Sequence, residues 1–365
     1  MVRLIQFPQP DSRSLHCSGD FLVVTLEPQG IAGGRAFVRG NFKGTHWEDI
    51  PMSRNGSRFE VTIPLSAVGL FHFKTYYLPD GVEGEDSQAI WPDGGNALVK
   101  VAPGWTRQGC SVYTAFVRQF RDEPAYTPPD DFLKVLDHNG YSLIPPSGTF
   151  RGLKRRLDHI IQGMGFRIIQ LLPIHPVPTT YARMGRFGSP FASLDFYDVD
   201  PALAEFDTKA TPLDQFIELA DAVHKRGARL FLDLPANHTG WASTFQIHHP
   251  EWFRRNDDGS FHSPGAWGVV WADLVELDYS HQELRSAIAD VFLFWCAKGV
   301  DGFRCDAGYM IPADVWKFVV DAVRKVFPET VFLLEGLGGK LETTDKLLSE
   351  SGLDWAYSEI FQQDN

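Results

Sequence analysis

From Ser111 onward the chain repeats one unit, a short and nearly all-apolar run followed by a helix-length amphipathic segment. VYTAFV precedes GLKRRLDHIIQGMG, and RIIQLLPI precedes PLDQFIELADAVHKRG. ARLFLDL, after an irregular stretch at about 235–280, precedes HQELRSAIADVFLFWCAKG. VDGFRCD then leads to ADVWKFVVDAVRKVF, TVFLLEG to ETTDKLLSESG, and DWAYSEIF comes last. Apolar runs without polar alternation are strands covered on both faces, and crossover helices supply that cover in parallel sheets. Residues 104–365 are therefore expected to form a parallel α/β sheet or barrel. Six strands are expected, around 112–117, 167–172, 229–234, 301–306, 331–335 and 355–360. A closed barrel needs eight. The expectation is thus a barrel incomplete at its C-terminal side, with strands one and six as open edges. The isolated 365-residue chain is expected to be poorly soluble or inactive for that reason.

Residues 1–103 read differently. FLVVTLEP, RAFVRGNF, RFEVTIPL and FHFKTYYL alternate apolar and polar positions between Gly, Pro, Asp and Asn turns, which predicts a small all-β sandwich. Net charge narrows the function. At −12, with a pI near 5.4, the chain has no excess of cations to neutralise phosphates, which argues against a nucleic-acid partner. The four cysteines show no ligand-type spacing, which argues against a zinc site or a disulfide framework. MVRLIQFPQPDSR holds no apolar signal-peptide core, and no apolar run reaches the ~20 residues of a membrane span. The default expectation is a soluble cytoplasmic protein with no membrane partner. Its oligomeric state is not readable.

In parallel α/β sheets the chemistry sits at the carboxyl ends of the strands. Strand three ends in DLPANHTG and delivers Asp233, Asn237 and His238. Strand four ends in GVDGFRCDAG and delivers Arg304 and Asp306, and strand five ends in FLLEGLGG and delivers Glu335. Each has a plain structural alternative. Asp306 at a strand end suits a helix cap, Asn237 a turn, His238 a buried hydrogen bond and Arg304 an ion pair with Asp306. Together they suggest more. Adjacent strands lie ~4.8 Å apart, which brings two carboxyl groups to within a few ångströms. Retaining glycoside hydrolysis uses two carboxyls ~5–5.5 Å apart, one as nucleophile and one as acid/base. Arg304, two residues before Asp306 on the same strand face, is expected to lower its pKa. Glu335, after an apolar run, is expected to hold a proton.

With these residues the chain resembles glycoside hydrolase family 13, the α-amylase family. DLPANHTG, GVDGFRCDAG and FLLEGLGG resemble its motifs at strands three, four and five, in order and at similar separations. GTFRGLKRRLDHIIQGMGF resembles the first barrel helix, and the likeness runs over about residues 111–360. It implies a (β/α)8 TIM-type barrel, α/β in class. It also implies Asp306 as nucleophile, Glu335 as general acid/base and Arg304 as the arginine orienting Asp306. His238 would bind the sugar undergoing cleavage, and Asp233 would support the site from beneath. Phe191, in SPFASLDF, takes the place of the family's aromatic platform, commonly a tyrosine. No cofactor is implied. If calcium binds, Asn237 is the carried-over ligand, but Met310 stands where the family commonly has a histidine, and a thioether is a poor ligand for a hard cation. The family's third carboxylate, an Asp preceded by His on strand seven, has no counterpart. Asp364 is not preceded by His.

VRGNFKGTHWEDIPM and IWPDGGNALVKV give the N-terminal segment a likeness to the immunoglobulin-like, glycogen-binding modules that precede such barrels, with Trp47 and Trp91 as sugar platforms or as core. The resulting expectation is a retaining enzyme acting on an α-glucan, glycogen or maltodextrin, at α-1,4 or α-1,6 bonds. Water as acceptor gives hydrolysis and a sugar hydroxyl gives transfer. The alternative is a non-catalytic glycan-binding or regulatory protein with a degenerate barrel.

Overall fold

The computed structural model of the protein describes residues 3–31, 33–81, 88–121, 129–139, 147–185, 187–336 and 340–357. The chain divides into two compact units, residues 1–109 and 110–365.

The first unit is built from strands β1 (Arg3–Phe7), β2 (Arg13–Cys17), β3 (Asp20–Gln29), β4 (Arg35–Gly40), β5 (Glu48–Pro51), β6 (Ser53–Asn55), β7 (Arg58–Leu65), β8 (Gly69–Leu78) and β9 (Ala97–Ala102). The two-residue period of the sequence fixes their faces. In β3, Leu22, Val24 and Leu26 are buried, while the alternate residues Phe21 and Val23 are exposed. One sheet runs β1-β3-β7-β6 and the other β2-β9-β8-β4-β5. Leu22, Val24, Leu26, Phe59 and Ile63 from the first share a core with Val38, Phe73, Val99 and Val101 from the second. Gln6 ties the sheets with polar contacts inside this core, its Oε1 accepting from the Thr75 amide at 2.7 Å and the Thr75 hydroxyl at 2.8 Å. Trp91 packs on Tyr76 with ring centres 4.9 Å apart, and the Arg39 guanidinium lies 5.7 Å from its ring. Trp47 is exposed.

The second unit opens with β10 (Val112–Ala115), α1 (Asp130–His138), α2 (Phe150–Lys154), β11 (Ile168–Leu171), α3 (Pro212–His224) and β12 (Arg229–Leu234). Between this strand and the next member of its sheet come β13 (His238–Gly240), α4 (Thr244–His248), β14 (Gly265–Ala266), β15 (Val269–Val270) and β16 (Leu274–Glu276). The stretch at 235–280 is thus organised by two small pairings, β13 with β16 and β14 with β15. Then follow α5 (Gln282–Ala297), β17 (Gly302–Cys305), α6 (Ala313–Val326), β18 (Val331–Leu334), α7 (Leu341–Glu350) and β19 (Trp355–Ala356). The six strands β10-β11-β12-β17-β18-β19 form one parallel sheet in that order, a partial half-barrel. The strand expected near 355–360 is described only over Trp355–Ala356, because residues from 358 lie outside the described set, Asp364 among them.

Local chemistry explains the helices. Thr211 and Asp214 form a capping box at the start of α3, with Pro212 at the first helical position. Along α6, Val315, Trp316, Val319, Val320 and Val323 are buried, a stripe at helical spacing. The expected first barrel helix is split. After α2 the chain turns and resumes as a wider π-type helix over Asp158–Gly163. Phe150, Leu153, Leu157 and Ile160 still all face the core. Gly152 is required where it is, since a Cβ there would stand 2.0 Å from the Phe120 carbonyl oxygen. No described helix is long and apolar enough to cross a membrane.

One ion pair locks the last strand in place. Arg324 on α6 reaches Asp354 at 2.5 Å and the Gly352 carbonyl at 2.8 Å, and Asp354 also accepts the Phe332 amide of β18 at 2.8 Å. Both side chains are buried. Removing the guanidinium with Arg324→Met leaves the Asp354 carboxylate in low dielectric, and the expected cost is about 3 kcal/mol. Urea unfolding followed by circular dichroism checks this. A loss below about 1 kcal/mol, the range of exposed pairs, would show that the pair does not hold this edge.

Candidate active site

The parallel register brings the motif residues to one end of the sheet. Asp233 on β12 pairs with Arg304 on β17, and Arg304 pairs with Leu333 on β18. The ladder continues past the strands, with the Asp306 amide donating to the Leu234 carbonyl and the Glu335 amide to the Cys305 carbonyl. Asp306 and Glu335 therefore leave consecutive strands at the same level. Asp306 caps no helix, because α6 begins seven residues later, at Ala313 behind Pro312.

A single guanidinium joins the three acids. Arg304 Nη1 lies 2.8 Å from both Asp233 oxygens and 2.7 Å from Asp306 Oδ1, and Nη2 lies 2.8 Å from Glu335 Oε1. The second Glu335 oxygen accepts the Ala307 amide at 2.7 Å. Ala307 has φ of +49°, an uncommon left-handed conformation for a residue with a Cβ, and that turn aims its N–H at Glu335. Asp306 Oδ2 is left facing His238 Nε2, 3.7 Å away.

The charge count decides the protonation. Three ionised carboxylates around one arginine leave an excess of negative charge in a buried place, and the site relieves it by holding protons. Burial pushes the Glu335 carboxyl up, and the neighbouring Asp306 charge adds to this. Asp233, wholly enclosed, is pushed well up by burial against the pull of Arg304. Asp306 departs from the sequence expectation. Arg304 does favour its ionised form, but burial outweighs the arginine and the net direction is upward. The physical reason is that the arginine divides its charge among three acids and cannot offset the desolvation of each. The Asp306 charge is what pushes Glu335 further up, whereas the charge acting on Asp306 is the arginine's, which pulls it down. Burial works against the charge of Arg304 as well, yet the three carboxylates hold it protonated.

His238 is buried and its pKa is lowered to about 4, chiefly by burial, so it is neutral at ordinary pH. The Phe191 backbone lies beside the imidazole, but neither ring nitrogen makes a hydrogen bond of normal geometry among the described residues. Phe191 itself has its ring centre 5.8 Å from the Arg304 guanidinium carbon. The Asn237 Nδ2 donates to Met310 Sδ at 3.3 Å, and among the described residues no three His, Cys, Asp or Glu side chains gather as a metal site. The thioether of Met310 beside this amide does not suit a hard cation such as calcium.

These residues border a cleft of about 230 Å³ lined by Asp306, Glu335, His238, Phe191, Trp271 and Trp267. A larger groove of about 670 Å³ beside α6 and α7 holds none of Asp233, His238, Arg304, Asp306 and Glu335, and its charges are Asp314, Lys317, Glu342, Lys346 and Glu350. The smaller cleft, apolar with a few convergent polar groups, is the chemical one. Sequence reading did not find Trp271, whose ring meets His238 edge-on at 6.1 Å, nor Tyr357, whose ring centre is 5.9 Å from the Arg304 guanidinium carbon. The aromatic run GAWGVVW was the available signal for the first.

The profile of the alpha-amylase catalytic domain matches residues 115–330, more than half of the chain. The chain belongs to the alpha-amylase family. The match takes in Asp233, His238, Arg304 and Asp306 and stops before Glu335, which the end of β18 and its contacts with Arg304 and the Ala307 amide bring to the same place. Among curated members, the chain is 29% identical over 198 residues to an alpha-1,4-glucan:maltose-1-phosphate maltosyltransferase of Chlorobaculum tepidum, covering 52% of this chain and 29% of that protein. It is 32% identical over 197 residues to the trehalose synthase/amylase TreS of Mycobacterium tuberculosis, covering 44% and 29%. The chain thus spans less than a third of the length of these relatives. Among solved structures, an alpha-amylase from Lactobacillus plantarum superposes with a TM-score of 0.54 at 28% identity, over 70% of this chain and 54% of that one. A maltogenic amylase from S. marinus shares the fold over 100% of this chain and 57% of its own, with a TM-score of 0.52 at 14% identity.

Proposed function

We propose that the protein is a retaining α-glucan-active glycosidase, hydrolase or transglycosidase, that cleaves α-1,4 or α-1,6 bonds of glycogen or maltodextrin through a covalent glycosyl ester on Asp306. The observation that carries the reading is the shared guanidinium. Arg304 holds Asp306 and Glu335 together, burial and the Asp306 charge favour a protonated Glu335, and Asp306 Oδ2 is left facing His238. Oδ1 of Asp306 is bound to Arg304, so Oδ2 is the attacking atom. As it bonds to the anomeric carbon, the glycosidic C–O bond breaks and Glu335 passes its proton to the leaving oxygen. Glu335, now a carboxylate, then takes a proton from the acceptor hydroxyl, which attacks the same carbon and releases Asp306. Two inversions retain the α configuration. Neutral His238 donates to a sugar hydroxyl, Phe191 stacks on the ring, and Asp233 fixes Arg304 from below. No step needs a metal or cofactor.

The relatives support an open choice of acceptor, since one is named as a maltosyltransferase and the other as a synthase and amylase. Both are enzymes, which favours catalysis over a purely binding role. Residues 104–365 are assigned as the catalytic barrel and 1–103 as an immunoglobulin-like module of the glycogen-binding type. Within that module the exposed Trp47 is the better platform, because Arg39 covers the Trp91 ring. The enzyme is assigned to the cytoplasm. Incubation of the full-length parent protein with maltoheptaose and chromatography of the products tests the reading. Shorter products alone mean hydrolysis, and shorter with longer products mean transfer. Unaltered maltoheptaose refutes both.

A further inference from the structure

A hairpin on the rim of the cleft is not explained by packing. β14 and β15 pair as Gly265 with Val270 and Ala266 with Val269, which leaves Trp267 and Gly268 to make the turn. Both have positive φ, 51° and 77°, the type I′ geometry that favours Asn-Gly or Gly-Gly. Gly268 suits this turn. Trp267 does not, because the left-handed region crowds its Cβ against the backbone. Nor does the indole buy core burial, for Trp267 is 72% exposed. It nonetheless lines the same cleft as Asp306 and Glu335.

The hairpin is firmly tied to the site. The Trp271 amide donates to the Pro264 carbonyl at 2.8 Å and closes its base. The Trp241 indole N–H donates to the Ala272 carbonyl at 2.9 Å. β16 then pairs with β13, Leu274 opposite Gly240 and Glu276 opposite His238. Trp267 is thus carried on a braced arm leading from the strand that bears His238. A strained, exposed aromatic held in place at a cleft is accounted for by a ligand that stacks on it.

We propose that Trp267 is the stacking platform for the glucosyl ring adjoining the one held between Asp306 and Glu335, and that it sets the preference for oligosaccharides over single sugars. The inference rests on the glucan reading above and adds the residue that reads chain length. The informative variant is Trp267→Asn. Asn-Gly is the sequence this turn prefers, so the substitution removes the ring while favouring the fold. Methyl α-glucoside and maltotetraose are titrated by calorimetry into protein carrying Glu335→Gln, which holds the sugars without turnover. Adding Trp267→Asn is expected to weaken maltotetraose about tenfold, to change methyl α-glucoside little, and to leave the thermal midpoint no lower. Trp267→Phe is expected to restore most of the loss. Equal losses for the two sugars, or no loss for maltotetraose, overturns the inference. If the Glu335→Gln protein binds neither sugar, the glucan reading fails and this inference with it, an outcome visible before any Trp267 variant is made.

Discussion

Replacing Asp306 by asparagine is expected to lower turnover of maltoheptaose by about ten-thousand-fold or more. The amide has the shape of the carboxyl and can still accept from Arg304, so the site is expected to fold and to bind sugar. It cannot form a stable ester with the anomeric carbon, and the covalent route is closed. Thermal unfolding of the variant within a few degrees of wild type is the control for folding. A second substitution sharpens the test. Asp306→Gly leaves a space where Oδ2 stood, and azide can enter it. With α-glucosyl fluoride as donor, azide attacks the anomeric carbon from the vacated side, the C–F bond breaks, and the product is β-glucosyl azide. Inversion in this variant, against retention in the wild type, identifies Asp306 as the attacking group. Maltoheptaose turnover near the wild-type rate in Asp306→Asn would falsify the assignment outright.

The polar ends of the strands were legible because buried parallel strands leave so little room for charge. Arg304, Asp306 and Glu335 interrupt apolar runs, and the strand period put the first two on one face. The structure brings all three together with Asp233 and His238. The direction of the Asp306 shift was not legible. One arginine beside one aspartate implies a lowered pKa, but three acids share Arg304, and how deeply each is enclosed depends on the whole sheet and the loops above it. Met310 was read as a missing ligand. Its contact with Asn237 could not be seen until β12 and β17 were set side by side.

Other features were hidden for the opposite reason, that local rules pointed elsewhere. Turn chemistry puts Asn or Gly at the position of Trp267, so a sequence scan sees no two-residue hairpin in GAWGVV. Tyr357 follows a strand only two residues long, and its approach to Arg304 comes from sheet order, not from spacing. The first barrel helix kept its apolar stripe through Ile160, yet the stripe does not reveal a change from α-type to π-type turns. Periodicity reports which face is buried. It does not report the width of each turn.

Glu335→Gln is the complementary test, and its strength lies in dissociating two effects. Protonated Glu335 serves the departing sugar, so the loss on maltoheptaose is expected to be about a thousandfold. Fluoride needs no proton to depart, so with α-glucosyl fluoride the first step is spared and the glycosyl-Asp306 ester builds up. Added azide, which needs no base, then attacks that ester from the face the leaving group occupied and gives α-glucosyl azide, the anomer opposite to that from Asp306→Gly. The pH profile supplies an independent reading. Activity requires Asp306 ionised and Glu335 protonated, so kcat/KM falls on the acid side as Asp306 gains a proton and on the basic side as Glu335 loses one. Burial shifts both groups upward, which moves the window above the ordinary carboxylate range. Glutamine cannot titrate, and the basic limb measured on the residual cleavage of maltoheptaose should therefore flatten while the acid limb persists. A basic limb that survives the substitution would place the proton donor on another group, and the contacts of Glu335 with Arg304 and the Ala307 amide would then be structural.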